Sequence, residues 1–343
     1  MTTSPSVRLA DVAKRARVSL STASRVLNGS ARQVTPDLVD RVMASAAALG
    51  YTPNAQAQAL ARSASSTVGL IIHDVTDQYF SAIANGVIRI ADSRGLLVML
   101  GTTFRDPRKE IDFAAMLHSQ RVRAMILVGT RQSSRALTAR LAAVLKSFQA
   151  AGGRVSAVTQ ARLPIDTVVP ENRAGARKLA RELVKLGHRE FAALTASHSL
   201  LTCQDRLAGF RDGLADSGLR LPDESVFEGA LTRDGGYAAA QQMVDKGVKA
   251  SCLFVVTDVM AVGAVTALRE RGIRVPEDLS VAGFDDIETL RDLTPPLTTV
   301  RLQLEEMGAR AARLALDPSP PGSPQVIRYP GEVVLRASTR RLS

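Results

Sequence analysis

"LADVAKRARVSLSTASRVLNG", residues 9–29, decides how the first part of the chain is read. Leu9, Val12, Ala13 and Ala16 recur at spacings of three and four, the period of a helix with one apolar face. Ser19 suits an N-cap, and Leu20 to Leu27 reads as a second helix with Ala23, Val26 and Leu27 turned inward. That leaves Leu20, Ser21, Ser24 and Arg25 together on its outward face. Thr35-Pro36 then reads as N-cap and first helical residue of a third helix. Its stripe is Leu38, Val39, Val42, Met43, Ala46 and Ala47, and Gly50 stops it. Three short helices, the first two joined by a tight turn, describe a helix-turn-helix unit.

The next segment, TPNAQAQALARSAS (52–65), has room for about two helical turns, too few for an isolated helix to be stable in water. It reads either as a plain linker or as a helix that forms only on contact. From Thr67 the pattern changes to short β-rich runs: 67–73, 96–102, 124–129, 154–159, 189–195, 252–257 and 279–285. Helical stretches lie between and after them, at 80–94, 109–119, 134–150, 173–187, 204–217, 234–247, 258–271 and 303–316. This alternation predicts parallel sheets covered on both faces, and its length predicts two lobes. The stretch 317–325 reads as a loop and 326–336 as extended chain.

The 343 residues carry a formal charge of +11, are 45% hydrophobic and 22% charged, and contain no apolar run long enough to span a bilayer. Residues 1–62 hold eight basic against three acidic residues, +5 of that charge, a density that suits a polyanionic partner. Met1 to Val18 contains no hydrophobic signal core, so a cytoplasmic protein is expected. Cys203 and Cys252 lie far apart and read as two reduced thiols.

Ligands of open parallel sheets bind beyond the carboxyl ends of the strands. This chain places Asp74, Thr102-Thr103, Thr159-Gln160, Thr257-Asp258 and Asp285-Asp286 there, polar groups that suit a polyhydroxylated small molecule. Asp258 reads equally as the N-cap of the following helix. Dinucleotide, P-loop, zincin and nucleophile-elbow signatures do not occur, and the four histidines show no metal-ligand spacing, so no catalytic residue, metal or cofactor is expected.

These segments resemble the lactose/galactose repressor family of bacterial transcription regulators. The likeness is carried in order by residues 9–29, by VTPDLVDRVMASAAALGYTPNAQAQALA (34–61), by ENRAGARKLARELVKLGHRE (171–190), by RLAGFRDGL (206–214), by TDVMAVGAVTALRERGIRVPEDLSVAGFDD (257–286), by PPLTTVRLQLEEMG (295–308) and by RASTRR (336–341). The resemblance implies an N-terminal all-α helix-turn-helix DNA-binding domain (1–52) and a hinge helix (53–65). It further implies a C-terminal α/β core of two doubly wound, periplasmic-binding-protein-like lobes, 66–164 with 295–325 and 165–294 with 326–343.

In that family Leu20, Ser21 and Arg25 occupy base-reading positions, and arginine can bond guanine bidentately. Ser19, Ser24, Asn28, Tyr51 and Asn54 occupy further DNA-contacting positions, and Ala57 and Leu60 those of a minor-groove hinge with Leu60 as its wedge. The matching effector positions are Asp74, Phe80, Asn172, Thr202, Arg206, Leu231, Thr257 and Asp285. Two of them keep a second reading: Arg206 as an interlobe salt bridge, Phe80 as core filling. Arg17 stands where the family has a turn glycine, which implies backbone strain if φ is positive there. Leu200 stands where purine-sensing members carry arginine, so a sugar or sugar-like metabolite is the expected effector. The partners implied are operator DNA and a second copy of the chain, with no membrane. Without the leucine-heptad tail of tetrameric members, a homodimeric repressor is expected. The alternative from another class is the solute-binding protein of a sugar transporter, which has no use for residues 1–62.

Overall fold

The computed structural model describes residues 7–27, 34–51, 65–317 and 322–342. The chain separates into two compact units, residues 1–65 and 66–343. In the first, α1 (Leu9–Ala16), α2 (Leu20–Leu27) and α3 (Pro36–Leu49) form where the apolar spacing puts them. Val12, Ala13, Ala16, Ala23, Val26, Val42 and Ala46 make their shared core. Such small side chains let the helices approach closely. The core is correspondingly small. Ser19 Oγ accepts the Thr22 amide at 3.1 Å and opens α2, while Gly50, at φ +61°, closes α3. Arg17 sits at φ +53°, so the turn needs the left-handed conformation, and the chain meets that need without glycine. The Arg41 guanidinium donates to the Ala16 carbonyl at the end of α1, supporting this turn.

The second unit contains two parallel sheets. The first lobe is built on β1 (Thr67–Ile72), β2 (Leu97–Thr102), β3 (Ala124–Val128), β4 (Arg154–Val158), β5 (Asp166–Pro170) and β11 (Val326–Tyr329), in the order β11-β5-β4-β3-β1-β2. Its helices are α4 (Gln78–Asp92), α5 (Pro107–Ser119), α6 (Arg135–Ala150) and α11 (Leu304–Leu316). The second lobe orders β7 (Val226–Glu228), β6 (Phe191–Thr195), β8 (Cys252–Val255) and β9 (Ser280–Ala282) as β7-β6-β8-β9. Its helices are α7 (Asn172–Lys185), α8 (Leu201–Ala215), α9 (Arg233–Asp245) and α10 (Asp258–Glu270). Strands β3, β6 and β8 are buried along their whole length, as helices on both faces require. The edge strand β2 instead leaves Leu97 73%, Met99 42% and Leu100 42% exposed. Among the described residues no helix is long and apolar enough to cross a membrane.

The chain crosses between lobes three times, each time a few residues later than the sequence reading placed it. β5 pairs with β4, so residues 166–170 belong to the first lobe rather than the second. β11 pairs with β5, which brings residues 326–329 into the first lobe as well. Residues 299–301, expected in the first lobe, form β10 (Thr299–Arg301), which pairs with β12 (Glu332–Val334) and runs beside Ala282 and Asp285 of the second. Strands of three to five residues carry too little periodicity to announce their partner. The expected hinge, 53–65, falls almost wholly outside the described residues.

Candidate nucleic-acid interface and interlobe cleft

On α2 the buried pair Ala23 and Val26 fixes which face looks outward. Leu20 is 54% exposed, with Ser21 and Arg25 exposed beside it, and Ser24 is half-buried. A large apolar side chain and an arginine held in solvent at the N-terminal half of a short helix are what a major-groove reader presents. The Ser19 hydroxyl is also within 2.8 Å of the Ser21 and Thr22 hydroxyls, a cluster of donors at the positive end of the helix dipole. Tyr51 follows the Gly50 cap and packs partly against the three-helix core. Asn28, Asn54, Ala57 and Leu60 lie outside the described residues.

In the core the carboxyl ends of the strands face a cleft between the lobes. Arg206, on the first turns of α8, is 1% exposed. Its guanidinium forks onto Asp285 at 2.6 and 3.2 Å, donates from Nε to Asn172 Oδ1 at 2.9 Å and from Nη1 to the Val256 carbonyl at 2.7 Å. It also lies 4.0 Å over the Phe284 ring. Burial pushes the Asp285 carboxyl up to about 6 against the pull of Arg206, so the pair is ionised at neutral pH. Both residues belong to the second lobe, so this is a buried pair within one lobe and not the interlobe salt bridge of the alternative reading. Asp285 and Asp286 sit at φ +126° and +60°, a strained corner of the kind found at binding sites.

Next to Arg206, Thr257 is buried and its hydroxyl has no hydrogen-bond partner. Leaving a buried hydroxyl unpaired costs about 1–3 kcal/mol, which an oxygen of a bound molecule would recover. Asp258 has a structural task. Its carboxyl oxygens accept from the Asp286 and Ile287 amides at 2.6 and 3.2 Å and from the Thr299 hydroxyl at 2.8 Å, holding the strained corner in place. Burial, reinforced by the nearby Asp285 charge, pushes its carboxyl up to about 8.

The first lobe contributes Asp74, whose Oδ1 accepts from the Thr76 amide and hydroxyl at 3.0 and 2.7 Å. Phe80 is 5% exposed and packs edge-on against His73 and Tyr79, so it fills core. Thr202 bridges the lobes by accepting from Gln160 Nε2 at 2.8 Å, and backbone bonds from Ser133 to Ser199 and from Leu201 to Arg131 strengthen that contact. Leu231 lines the open part of the cleft, a cavity of about 450 Å³, together with Leu200 and Arg105.

Arg105 and Tyr79 were missed by the sequence reading. Arg105 lies at φ +63°, 3.5 Å from Asp77 and 4.0 Å from Asp74, with its buried Nε unpartnered. Its signal was available, since it follows the carboxyl end of β2 by three residues. Tyr79 is half-buried near Asp285 and Arg206, and desolvation of its phenol, followed by the Asp285 charge, raises it. A second buried pair, Arg131 on Glu110 at 2.8 Å with Arg131 Nε on the Thr159 hydroxyl at 3.1 Å, braces the first-lobe wall. Burial lowers the adjacent His73 to about 4, so that imidazole stays neutral. The arrangement combines fixed donors, an ionised carboxylate and unsatisfied polar atoms from both lobes, and it suits a polar, hydroxyl-rich guest.

Comparison with known proteins agrees with both halves. A model of bacterial regulatory proteins of the lacI family matches residues 8–54, and one of the periplasmic binding protein-like domain matches residues 180–339. The transcriptional regulator GalS of Salmonella typhimurium is 35% identical over 90% of this chain and 89% of its own. The regulator DegA of Bacillus subtilis is 30% identical over 97% and 98%. Among solved structures, the lac repressor dimer bound to operator and an anti-inducer is 28% identical, with a TM-score of 0.82 over 98% of this chain and 99% of that one. A complex of the regulator CelR with cellobiose is 27% identical, with a TM-score of 0.71 over 97% and 99%. The exposed face of α2, the two parallel-sheet lobes and these near end-to-end matches lead to one assignment: the chain belongs to the LacI family of bacterial transcriptional regulators.

Proposed function

We propose that this protein is a cytoplasmic, non-catalytic repressor that binds a palindromic operator as a homodimer and answers to a sugar-like effector held between its lobes. The observation that carries the DNA half is the joint exposure of Leu20, Ser21 and Arg25 on α2, with Ala23 and Val26 buried behind them. Arg25 is the residue suited to guanine. Leu20 favours thymine methyls or groove shape. Ser19 and Ser24 sit where phosphates would be positioned, as would Asn28, Tyr51 and Asn54, while Ala57 and Leu60 would enter the minor groove. The exposed apolar edge of β2 supports a second copy as the partner that covers it. On the effector side, the orphaned Thr257 hydroxyl beside Arg206, Asn172 and Asp285 supports a hydroxylated guest, with Asp74, Thr202 and Leu231 around it. Phe80 contributes packing behind that site. Moving the lobes would then change the spacing of the two DNA-binding units.

The test is anisotropy titration of the full chain against duplexes selected from a random library. Sequence-specific binding, with log affinity falling linearly in log salt, is expected. Indifference to every duplex at low salt overturns the reading. A thermal-shift panel of sugars, polyols and nucleosides, repeated with the selected duplex, reports the effector and the sign of its coupling.

A further inference from the structure

The bend between α1 and α2 places an arginine in a conformation that needs a reason. Arg17 sits at φ +53°, ψ +48°, a left-handed backbone that glycine adopts freely and a residue with a Cβ resists. Backbone held in such a region clusters at functional sites. Closing α1 does not call for this side chain, because it is the Arg17 amide that bonds the Ala13 and Lys14 carbonyls. Nor does the carbonyl end of α1 lack positive charge, which is favourable there. Lys14 and Arg15 lie in its last turn, and Arg41 of α3 donates to the Ala16 carbonyl and reaches the Arg17 carbonyl at 3.5 Å. The Arg17 guanidinium is therefore left over from the structural tasks around it. It is exposed, and among the described residues no ion pair forms within the first unit; the pairs begin at Arg89. Val18 turns into the three-helix core, so Arg17 and Ser19 stand on the exposed side of one bend. Directly beyond that bend α2 presents Leu20, Ser21 and Arg25. Whatever groove α2 enters is bordered by sugar-phosphate backbone, and a guanidinium fork matches the oxygens of a phosphate.

We propose that Arg17 binds a backbone phosphate at the edge of the groove that α2 enters, adding affinity for any duplex without reading its sequence. This rests on the DNA-binding reading above. The bend thereby exchanges some stability of the three-helix unit for grip on the polyanion: the same residue that strains the turn carries the charge.

The experiment is anisotropy titration of the full-length protein and its Arg17→Gly, Arg17→Gln and Arg17→Lys variants against a selected operator and a random duplex, over a series of salt concentrations. Each phosphate neutralised contributes about 0.9 to the slope of log affinity against log salt, so two copies on one duplex should make it shallower by about 1.8 in Arg17→Gly and Arg17→Gln. At 0.1 M salt that is a loss on the order of 50-fold, fading as salt rises towards 1 M. Operator and random duplex should lose alike, leaving their ratio unchanged to within about twofold. Arg17→Lys should keep the parent slope. Arg17→Gly should lose affinity while its helices gain hydrogen-exchange protection, so the loss is not one of folding. Arg17→Gln should keep the parent's protection; a fall there would tie the charge to the end of α1 and overturn the proposal. An unchanged slope in Arg17→Gly and Arg17→Gln, a lowered slope in Arg17→Lys, or a loss confined to the operator also overturns it and leaves the DNA-binding reading standing. A parent protein that binds no duplex overturns both.

Discussion

Replacing Arg206 by methionine tests the organisation of the cleft most directly. Arg206 is 1% and Asp285 3% exposed, so Arg206→Met keeps much of the volume but strands a carboxylate, the Asn172 amide oxygen and the Val256 carbonyl away from water. Removing one partner of a buried ion pair costs about 3–5 kcal/mol. For a unit of this size each kcal/mol lowers Tm by roughly 2–4 °C, so scanning calorimetry at pH 8 should show the core transition falling by about 6–20 °C. The deficit should depend on pH. The folded-state pKa of Asp285, already raised to about 6 by burial with Arg206 present, rises further without it. A carboxyl with a raised folded-state pKa binds its proton more tightly when folded, so the folded state gains stability as pH falls through that value. The variant's deficit should therefore shrink between pH 8 and pH 5, and adding Asp285→Asn should recover part of it at pH 8. Operator binding should survive and effector response should vanish. A loss below about 1 kcal/mol, or a loss equal at both pH values, would refute the buried charge pair.

Three further outcomes follow from the same geometry. Arg25→Ala should weaken specific operator binding by about 1–3 kcal/mol and non-specific binding far less, read by anisotropy against specific and random duplexes; equal losses would remove Arg25 from base reading. Arg17→Gly relieves a left-handed residue at φ +53° and should raise hydrogen-exchange protection in α1–α3 of the full chain by about 0.5–1 kcal/mol, whereas a decrease would show that the turn carries no strain. Leu97→Asp places a charge on the exposed edge of β2 and should shift light scattering from dimer to monomer at micromolar concentration, with operator affinity falling in step; an unchanged dimer would place the interface elsewhere.

The three helices of the DNA-binding unit were readable in the sequence to the residue, because each has a periodic stripe within one or two turns and α2 and α3 also carry a cap or a stop. The helices of the core fell within a few residues of their expected limits for the same reason. Arg206 and Asp285 were identified by resemblance, and their partnership fits that placing. Their environment was not legible: the fork, the Asn172 and Val256 acceptors and the unpaired Thr257 hydroxyl depend on four segments far apart in the chain. Phe80 kept two readings until packing chose core, whereas Asp258 met neither of its two: Thr257 caps the helix, and Asp258 clamps a loop.

Local physics therefore determined what this chain could by itself: helix limits, the outward face of α2, the alternation that makes parallel lobes. Tertiary structure alone decided where the lobes exchange strands, which polar atoms remain unpaired at the cleft, and that Tyr79 lies beside Asp285 and Arg206. The reason is that periodicity and capping act over a few residues, whereas edge pairing and desolvation are set by whatever the rest of the fold brings alongside.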